Sequence, residues 1–259
     1  MNLDFSKLFH SASKDLNGKD GAQIPSDPGK WPDALKVVSY KTYPRFRTIP
    51  LPDSTAHADM FNVMRARRSY RDFAGDASIS ASDLSVLLRH SCGITQSTAD
   101  HNPRRAQPSG GARYPIEAYL IFFRDTDAIA AGVYHYNARE HGLDVLWERP
   151  FSSVDIADLF AYAWVSKAVG AIVLTAVFER SRMKYGERAY RLALIEAGHI
   201  GQNVYLSAEA LGLGCCGLSG TFDAQVEKLL DVDGVTESVV YALAIGRNGS
   251  PSTLIPTNT

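Results

Sequence analysis

Four arginines surround a single serine between residues 65 and 73, in the sequence RARRSYRDF. Guanidinium groups bind phosphate oxygens through paired hydrogen bonds, so this spacing suits an anion such as a phosphate. The net charge of the 259-residue chain is only −1, which argues against a general attraction to nucleic acid or to an anionic membrane. The cluster therefore predicts a local site for one anion rather than a basic surface.

Lys184 and Tyr185 are neighbours in the sequence RSRMKYGERAYR and could form a proton-transfer pair. Both side chains ordinarily have pKa values of about 10, so a base made from either one needs burial or a neighbouring cation. From the residues alone, the charged start of a helix is the simpler interpretation. A further candidate is the loop PSGGARYP at 108–115, a surface loop whose two glycines could let the backbone lie against a planar group.

Two other patterns have simpler structural interpretations. GLGCCG at 212–217 formally matches a dinucleotide fingerprint, but it follows a long helical pattern instead of a strand, so we predict a helix-ending glycine and a tight turn. Glu196 and His199 have the spacing of a carboxylate-bridged metal site, which requires a second such pair from another helix. The chain contains no second pair, so we predict no metal.

Hydrophobic periodicity indicates the elements that must position these residues. The pattern predicts a helix over 80–91, a strand over 116–123, a hairpin formed by GVYHY and GLDVLW, a strand over 169–178, a helix of about twenty residues ending at Gly212, and a strand over 239–246. This mixed order is typical of an α+β fold with one main sheet. We expect residues 1–58 to form an extended arm and residues 59–259 to form the domain.

The sequence has no signal for secretion or for membrane insertion. Its first residues, MNLDFSKLFH, lack the pattern of a signal peptide, and no apolar run reaches the roughly 18 residues of a membrane helix. Three cysteines without a secretion signal suggest reduced thiols. We therefore expect a cytoplasmic protein with no membrane partner.

Several segments together resemble one family. They are RRSYRDF, PSGGARYPIEAY, KYGERAYRLALIEAGHIGQNVYLSAEALGLGCCGLSG and AIGR, with FHSASKD and YPRFRTIPLP ahead of them. In this order, over about residues 9 to 247, the chain resembles the SagB-type dehydrogenases of the nitroreductase-like flavoproteins. The resemblance implies a central, mostly antiparallel sheet flanked by helices, and an intertwined homodimer with one FMN in each subunit interface. The best-known members oxidise thiazolines and oxazolines in modified peptides to azoles.

The resemblance also implies which residues bind FMN. Those expected near the phosphate and the pyrimidine end are Arg67, Arg68, Ser69 and Arg71, with Arg247 as a second phosphate ligand. Those expected to reach the flavin from the other subunit are Pro108, Ser109 and Gly110. Those expected beside the ring, near N5, are Gly217, Leu218, Ser219 and Gly220. Lys184 and Tyr185 resemble the catalytic pair, one of which takes the proton while a hydride goes to N5.

Other functions remain open at this point. The same scaffold also serves NAD(P)H-dependent nitro- and quinone reductases, and a non-catalytic flavin-binding subunit of a biosynthetic complex would carry the same cofactor residues. The substrate could be a ribosomal peptide, a carrier-bound intermediate or a free small molecule. A partner cyclase or carrier protein could be needed to capture it.

Overall fold

A seven-stranded antiparallel sheet forms the centre of the molecule. We describe it from a computed structural model that covers residues 5–14, 27–96 and 103–249. The strands are β1 (Thr48–Pro50), β2 (Ile94–Gln96), β3 (Arg104–Arg105), β4 (Ile116–Phe122), β5 (Gly132–Asn137), β6 (Gly142–Glu148), β7 (Gly170–Val177), β8 (Leu213–Leu218) and β9 (Glu237–Arg247). The order in the main sheet is β1-β6-β5-β4-β7-β9-β8, and β2 and β3 form a separate pair.

Helices cover both faces of this sheet. They are α1 (Phe5–Ala12), α2 (Asp33–Lys36), α3 (Met60–Ala66), α4 (Ala81–Cys92), α5 (Ser153–Leu159), α6 (Glu179–Tyr185), α7 (Ala189–Ala210) and α8 (Asp223–Leu230). Helices α4 and α7 contribute to one hydrophobic cluster on the sheet, and α5 and α8 contribute to a second. Within the described ranges, no helix is long and apolar enough to cross a membrane.

Most of the predicted elements are confirmed. The helix predicted over 80–91 is α4, the hairpin is β5 with β6, and the long helix is α7. The backbone N–H of Asp83 donates to the Ser80 hydroxyl at 3.0 Å, which caps α4 as the spacing predicted. The α+β class with one antiparallel sheet is likewise confirmed.

Two local predictions are wrong. Gly212, at φ +66°, follows the long helix as expected, but the residues after it form strand β8 instead of a tight turn alone. Their pairing with β9 outweighs the low strand propensity of two glycines in six residues. Lys184 and Tyr185 lie at the C-terminal end of α6, so they do not begin a helix.

The residues before position 59 join the main sheet. Strand β1 pairs with β6, and Leu35, Val38 and Leu51 are buried. The Lys41 ammonium donates to Glu237 at 2.6 Å, which ties this segment to β9. The division into an arm (1–58) and a domain (59–259) stays a prediction. Residues 1–4, 15–26, 97–102 and 250–259 of these two parts lie outside the described residues.

Candidate active site

The arginine cluster follows the end of α3. The Asp59 carboxylate accepts from the backbone N–H of Asn62 at 2.7 Å and so caps the start of this helix. The chain leaves the helix at Arg67, and the Arg68 guanidinium donates to carbonyls of the last turn at 2.8 and 2.9 Å. Arg68 therefore has a capping role. Among the ion pairs of the described residues, none involves an arginine of this cluster.

Contacts with β8 and α7 hold this segment in place. The backbone N–H of Tyr70 donates to the carbonyl of Cys215 at 3.0 Å. The hydroxyl of Tyr205, on α7, lies 3.1 Å from Ser69 Oγ and accepts from the backbone N–H of Gly217 at 2.6 Å. The guanidinium of Arg71 donates a hydrogen bond to the sulfur of Cys216. The predicted phosphate residues and the predicted ring-facing backbone thus lie side by side.

A cavity of about 420 Å³ lies against this backbone, and Gly217, Ser219 and Tyr205 contribute to its wall. This volume is within the range of small-molecule sites. Leu218 also lines this cavity, although the residue is buried. The Ser219 hydroxyl bonds to the hydroxyl of Tyr162 at 2.9 Å, and the Tyr162 ring lies against the backbone of Gly220.

The catalytic candidates converge on the glycine loop. A Cβ added to Gly111 would lie 2.5 Å from Tyr185 Oη and 2.9 Å from Lys184 Nζ, so both functional atoms meet directly above this residue. Gly111 has φ +63°, a conformation that side chains with a Cβ rarely adopt. The indole ring of Trp31 covers the Lys184 ammonium at 4.4 Å. Residue types and spacing predicted the pair, but only the fold places it over the loop.

Buried polar groups fix the shape of the loop. The backbone N–H of Tyr114 donates to Ser109 Oγ at 2.9 Å, and Ser109 in turn bonds to the buried carboxyl of Glu196 on α7. Gln107 Nε2 reaches the same carboxyl at 3.3 Å. Arg180 on α6 donates to the carbonyl of Tyr114 at 3.0 Å. The Ser109 hydroxyl is therefore engaged inside the protein, and its carbonyl accepts from the backbone N–H of Ala112 at 3.1 Å, which closes the turn of the loop.

Three groups of this region have shifted pKa values. Burial lowers the pKa of Lys184, and the nearby charge of Arg113 lowers it further. Burial raises the pKa of Tyr185, although Arg113 opposes that rise. Burial raises the pKa of Glu196 to about 7, against the opposing hydrogen bonds from Ser109 and Gln107. Perturbed groups clustered at one loop are typical of a functional site.

The two groups of predicted residues lie at different places along α7. Gly110 packs against Leu192 in the first turn of this helix, with 3.3 Å between its added Cβ and Leu192 Cδ1. Tyr205, which holds the arginine segment, comes thirteen residues later. At about 1.5 Å of rise per residue, these contact points are about 20 Å apart. A single chain therefore holds the anion-binding and proton-transfer groups apart.

Two sequence candidates have other roles in the structure. The Arg247 guanidinium bonds to Asp83 at 2.6 Å and to two backbone carbonyls, which favours a structural function, and its predicted phosphate role stays a prediction. Glu196 is buried whereas His199 is exposed, so they do not form a common site. Within the described ranges, no group of His, Cys, Asp and Glu side chains could hold a metal ion.

The sequence did not predict the contacts of three side chains that shape the site. Arg113, Trp31 and Tyr205 contact the predicted residues through the fold. Tyr205 lies within the predicted helix 189–211, but the hydrophobic period does not indicate that its hydroxyl joins Ser69 to Gly217. Of these three residues, only Arg113 could have been recognised as a site residue from its sequence neighbours, because it stands inside the glycine loop.

The fold is an α+β scaffold in which one antiparallel sheet carries the loop-and-strand site. The model of the Nitroreductase family matches residues 64–247, and the chain belongs to this family. A Methanocaldococcus jannaschii protein whose name also refers to nitroreductases is 31% identical over 200 residues, which cover 77% of this chain and 96% of that protein. The superfamily predicted from the resemblance is thus confirmed.

Two other relatives have names that refer to peptide processing. The trifolitoxin-processing protein TfxB of Rhizobium leguminosarum bv. trifolii is 36% identical over 177 residues, covering 64% of this chain and 46% of TfxB. The microcin B17-processing protein McbC of Escherichia coli is 34% identical over 139 residues, covering 50% of this chain and 49% of McbC. The chain thus spans about half the length of these two relatives.

Solved structures agree on the fold. A protein of Anabaena variabilis described as a nitroreductase superposes with a TM-score of 0.70 at 27% identity, covering 94% of this chain and 46% of that one. The E. coli microcin synthetase McbBCD complex, with truncated pro-MccB17 bound, contains a chain that matches with a TM-score of 0.61 at 22% identity. The match covers 96% of this chain and 99% of that one. A Desulfovibrio desulfuricans structure in complex with FMN matches with a TM-score of 0.51 at 22% identity, covering 75% of this chain and 88% of that one.

Proposed function

We propose that this protein is an FMN-dependent dehydrogenase that oxidises thiazoline or oxazoline rings in modified peptides to azoles. The observation that carries the proposal is the convergence of Lys184 Nζ and Tyr185 Oη above Gly111, in the loop that we expect to face the flavin. A reductase that only passes hydride from a nicotinamide does not need such a pair. The peptide-processing relatives TfxB and McbC support the same substrate class.

The arginine segment and β8 fit FMN. Arg67 and Ser69 have the donors that a phosphate needs, and no described carboxylate neutralises Arg67 in an ion pair. Arg71 would lie at the pyrimidine end, where a cation stabilises reduced flavin. The backbone from Gly217 to Gly220 and the adjoining cavity would accept the ring. Bound FMN would supply the hydride acceptor.

The separation of the two groups along α7 favours a homodimer. The flavin must contact the residues around Gly217, which Tyr205 holds, whereas the substrate proton must contact Lys184 at the loop that packs on Leu192. Leu192 and Tyr205 are about 20 Å apart along α7. A second copy can bring its own glycine loop to the arginine segment of the first. The exposed face of α7 includes Leu194 and Ile195, apolar side chains of the kind that subunit interfaces bury.

The chain's own residues would handle the proton. Lys184 or Tyr185 would accept the proton from the ring carbon that was the residue's α-carbon. The adjacent CH2 would lose a hydride to bound FMN, and a double bond would form between the two carbons. The loop would fix the distance between base and carbon, because Glu196 and Arg180 hold it at Ser109 and Tyr114. Trp31 would limit the access of water to Lys184.

The substrate would be presented by a partner protein. The matching structure of the McbBCD complex contains several proteins and a bound peptide precursor, and this chain matches nearly the full length of one of its chains. We therefore expect a cyclase partner or a peptide carrier to deliver the azoline ring. A free small molecule would be oxidised without such a partner, which distinguishes the two cases.

The first experiment is a visible absorbance spectrum of the purified protein, followed by anaerobic addition of NADPH and then of an azoline-containing peptide. We expect a flavin band that NADPH leaves oxidised and that the peptide bleaches, with the loss of two mass units from the peptide by the removal of one proton and one hydride. The double variant Lys184→Ala/Tyr185→Phe should retain the flavin band and form no azole. Rapid bleaching by NADPH would favour a reductase, and unchanged turnover by the double variant would overturn the assignment of the pair.

A further inference from the structure

Arg113 is a buried cation that has no carboxylate partner among the described residues. It is 4% exposed, and the hydrogen bond that its side chain makes is from Nε to the carbonyl of Gly111 at 3.0 Å. Arginines are rarely buried unless they are paired, because an uncompensated charge is costly in a protein interior. Arg180, close by, shows the usual arrangement, since it pairs with Glu117 at 2.6 Å. The unpaired charge of Arg113 therefore calls for a function.

The same glycine brings Arg113 and the catalytic candidates together. Lys184 Nζ and Tyr185 Oη lie above Gly111, and the Arg113 guanidinium is bonded to its carbonyl. The groups that face Lys184 are Arg113 from the loop, Tyr185 from its own helix and the uncharged ring of Trp31 from the N-terminal segment. Among the residues that the structure describes, no carboxylate forms an ion pair with Lys184 or with Arg113. The local field is thus positive.

A positive field affects the two candidates differently. It disfavours the charged ammonium of Lys184, and burial acts in the same direction, so both effects lower the pKa of this amine. For Tyr185, burial disfavours the phenolate and raises its pKa, and the charge of Arg113 only opposes this rise. The lysine amine is therefore the group that the surroundings bring closer to a proton-accepting form at neutral pH.

We propose that Arg113 is a positioning residue whose permanent charge makes Lys184, rather than Tyr185, the proton acceptor of the reaction. The inference rests on the proposed function. The lone pair of Lys184 Nζ would take the proton from the ring carbon that was the residue's α-carbon and form an N–H bond. The electron pair left on that carbon would form the ring double bond to the adjacent carbon, which would release a hydride to bound FMN. Repulsion between the new ammonium and Arg113 then favours return of the proton to water before the next turnover.

The direct test needs no substrate. The chain has nine lysines, so protein labelled with ¹³C at the lysine ε-carbon gives few resonances, and Lys184→Arg identifies that of Lys184 by its absence. We expect Lys184 to titrate at lower pH than the other lysines in the FMN-loaded protein. Arg113→Gln should move its titration upward towards them, whereas Arg113→Lys, which keeps the cation, should leave it low. A Lys184 resonance that titrates identically in wild type and Arg113→Gln would overturn the proposal.

The pH dependence of turnover provides the second readout. We expect the acid limb of kcat/KM to move to higher pH in Arg113→Gln, with a tenfold loss below the limb for each unit that it moves. The limb should stay in place in Arg113→Lys and in Tyr185→Phe. Loss of the limb in Tyr185→Phe would make the tyrosine the base and overturn the proposal.

Failure of the proposed function is distinguishable from failure of this inference. If the wild type forms no azole, the proposed azoline oxidation is wrong, whatever the lysine titration shows. If the wild type forms azole but its Lys184 titrates like the exposed lysines, the reaction stands and the role of Arg113 falls. This last measurement requires only the wild-type protein and the Lys184→Arg variant that identifies the resonance, so it can overturn the proposal even if Arg113→Gln does not fold.

Discussion

Substitution of Gly111 by alanine tests whether the glycine loop positions the catalytic pair. The added methyl group would lie 2.5 Å from Tyr185 Oη and 2.9 Å from Lys184 Nζ, whereas ordinary van der Waals contact begins at 3.4 Å. Both functional atoms must therefore move, and the tyrosine oxygen must move by roughly 1 Å, the order of misplacement that is costly in an active site.

The expected effects on activity and stability differ in size. A misplacement of about 1 Å at a reacting group costs about 100-fold in rate, which corresponds to about 2.7 kcal/mol. The backbone contributes separately, because Gly111 has φ +63° and alanine in this conformation costs about 1 to 2 kcal/mol, partly offset by the lower entropy of the unfolded chain. We therefore expect a loss of about 1 kcal/mol in the free energy of unfolding.

Ala112→Gly is the matched control. Ala112 is the next residue of the loop and already has a positive φ of 52°, so glycine should relieve strain there without adding an atom near the pair. We expect this variant to be as stable as wild type or slightly more stable, with unchanged kcat/KM. Urea unfolding and azoline turnover at equal FMN content measure both quantities. A Gly111→Ala variant that retains kcat/KM within about threefold would refute the reasoning, because it would show that the pair does not depend on this contact.

Three further predictions concern the cofactor, the pH dependence of stability and the interface. Arg67→Ala should weaken FMN binding by about 1.5 to 3 kcal/mol, measured by fluorescence titration. Arg68→Ala should mainly destabilise the end of α3. Equal losses of FMN affinity in the two variants would contradict a binding role for Arg67 and a capping role for Arg68. Burial raises the pKa of Glu196 to about 7, so its stabilising contribution is complete below the unfolded pKa of about 4.5 and is lost as pH rises through 7. Glu196→Gln should remove this pH dependence from the midpoints of urea unfolding. Wild-type midpoints that do not change over this pH range would refute the raised pKa. Ile195→Glu changes a residue of α7 that is 55% exposed, and in sedimentation experiments this variant should be a monomer that loses FMN. The control Val235→Glu changes a residue outside α7 that is 78% exposed, and it should remain a dimer. A dimeric Ile195→Glu variant would place the interface elsewhere.

The elements with a strong hydrophobic period were predictable from sequence. Helix α7 buries one face, so its apolar residues recur with the helical period. Strands β4 and β7 are buried on both faces, so each is a nearly continuous apolar run of strand length. Strand β8 was missed because its sequence LGCCGL contains two glycines, and its formation depends on pairing with β9, which is distant in sequence. Pairing between distant segments has no local signal.

The chemistry of the site was partly predictable for a related reason. The arginine cluster and the Lys-Tyr pair are visible because the reacting residue types are adjacent in the chain. The partners that decide their behaviour come from elsewhere: Tyr205 joins Ser69 to Gly217, and Trp31 covers Lys184. Sequence adjacency identified the candidates, whereas their pKa values and orientation depend on tertiary contacts.

Two arginines illustrate how the fold separates structural charges from functional ones. Arg247 and Arg113 both lie near predicted site residues, and the sequence does not show which of them has a carboxylate partner. The structure pairs Arg247 with Asp83, which the cap of α4 places within 2.6 Å, so its charge is neutralised within the protein. Arg113 has no such acid among the described residues, and its charge acts on Lys184 instead. An arginine that is buried without a carboxylate retains its field, and this field is available for catalysis.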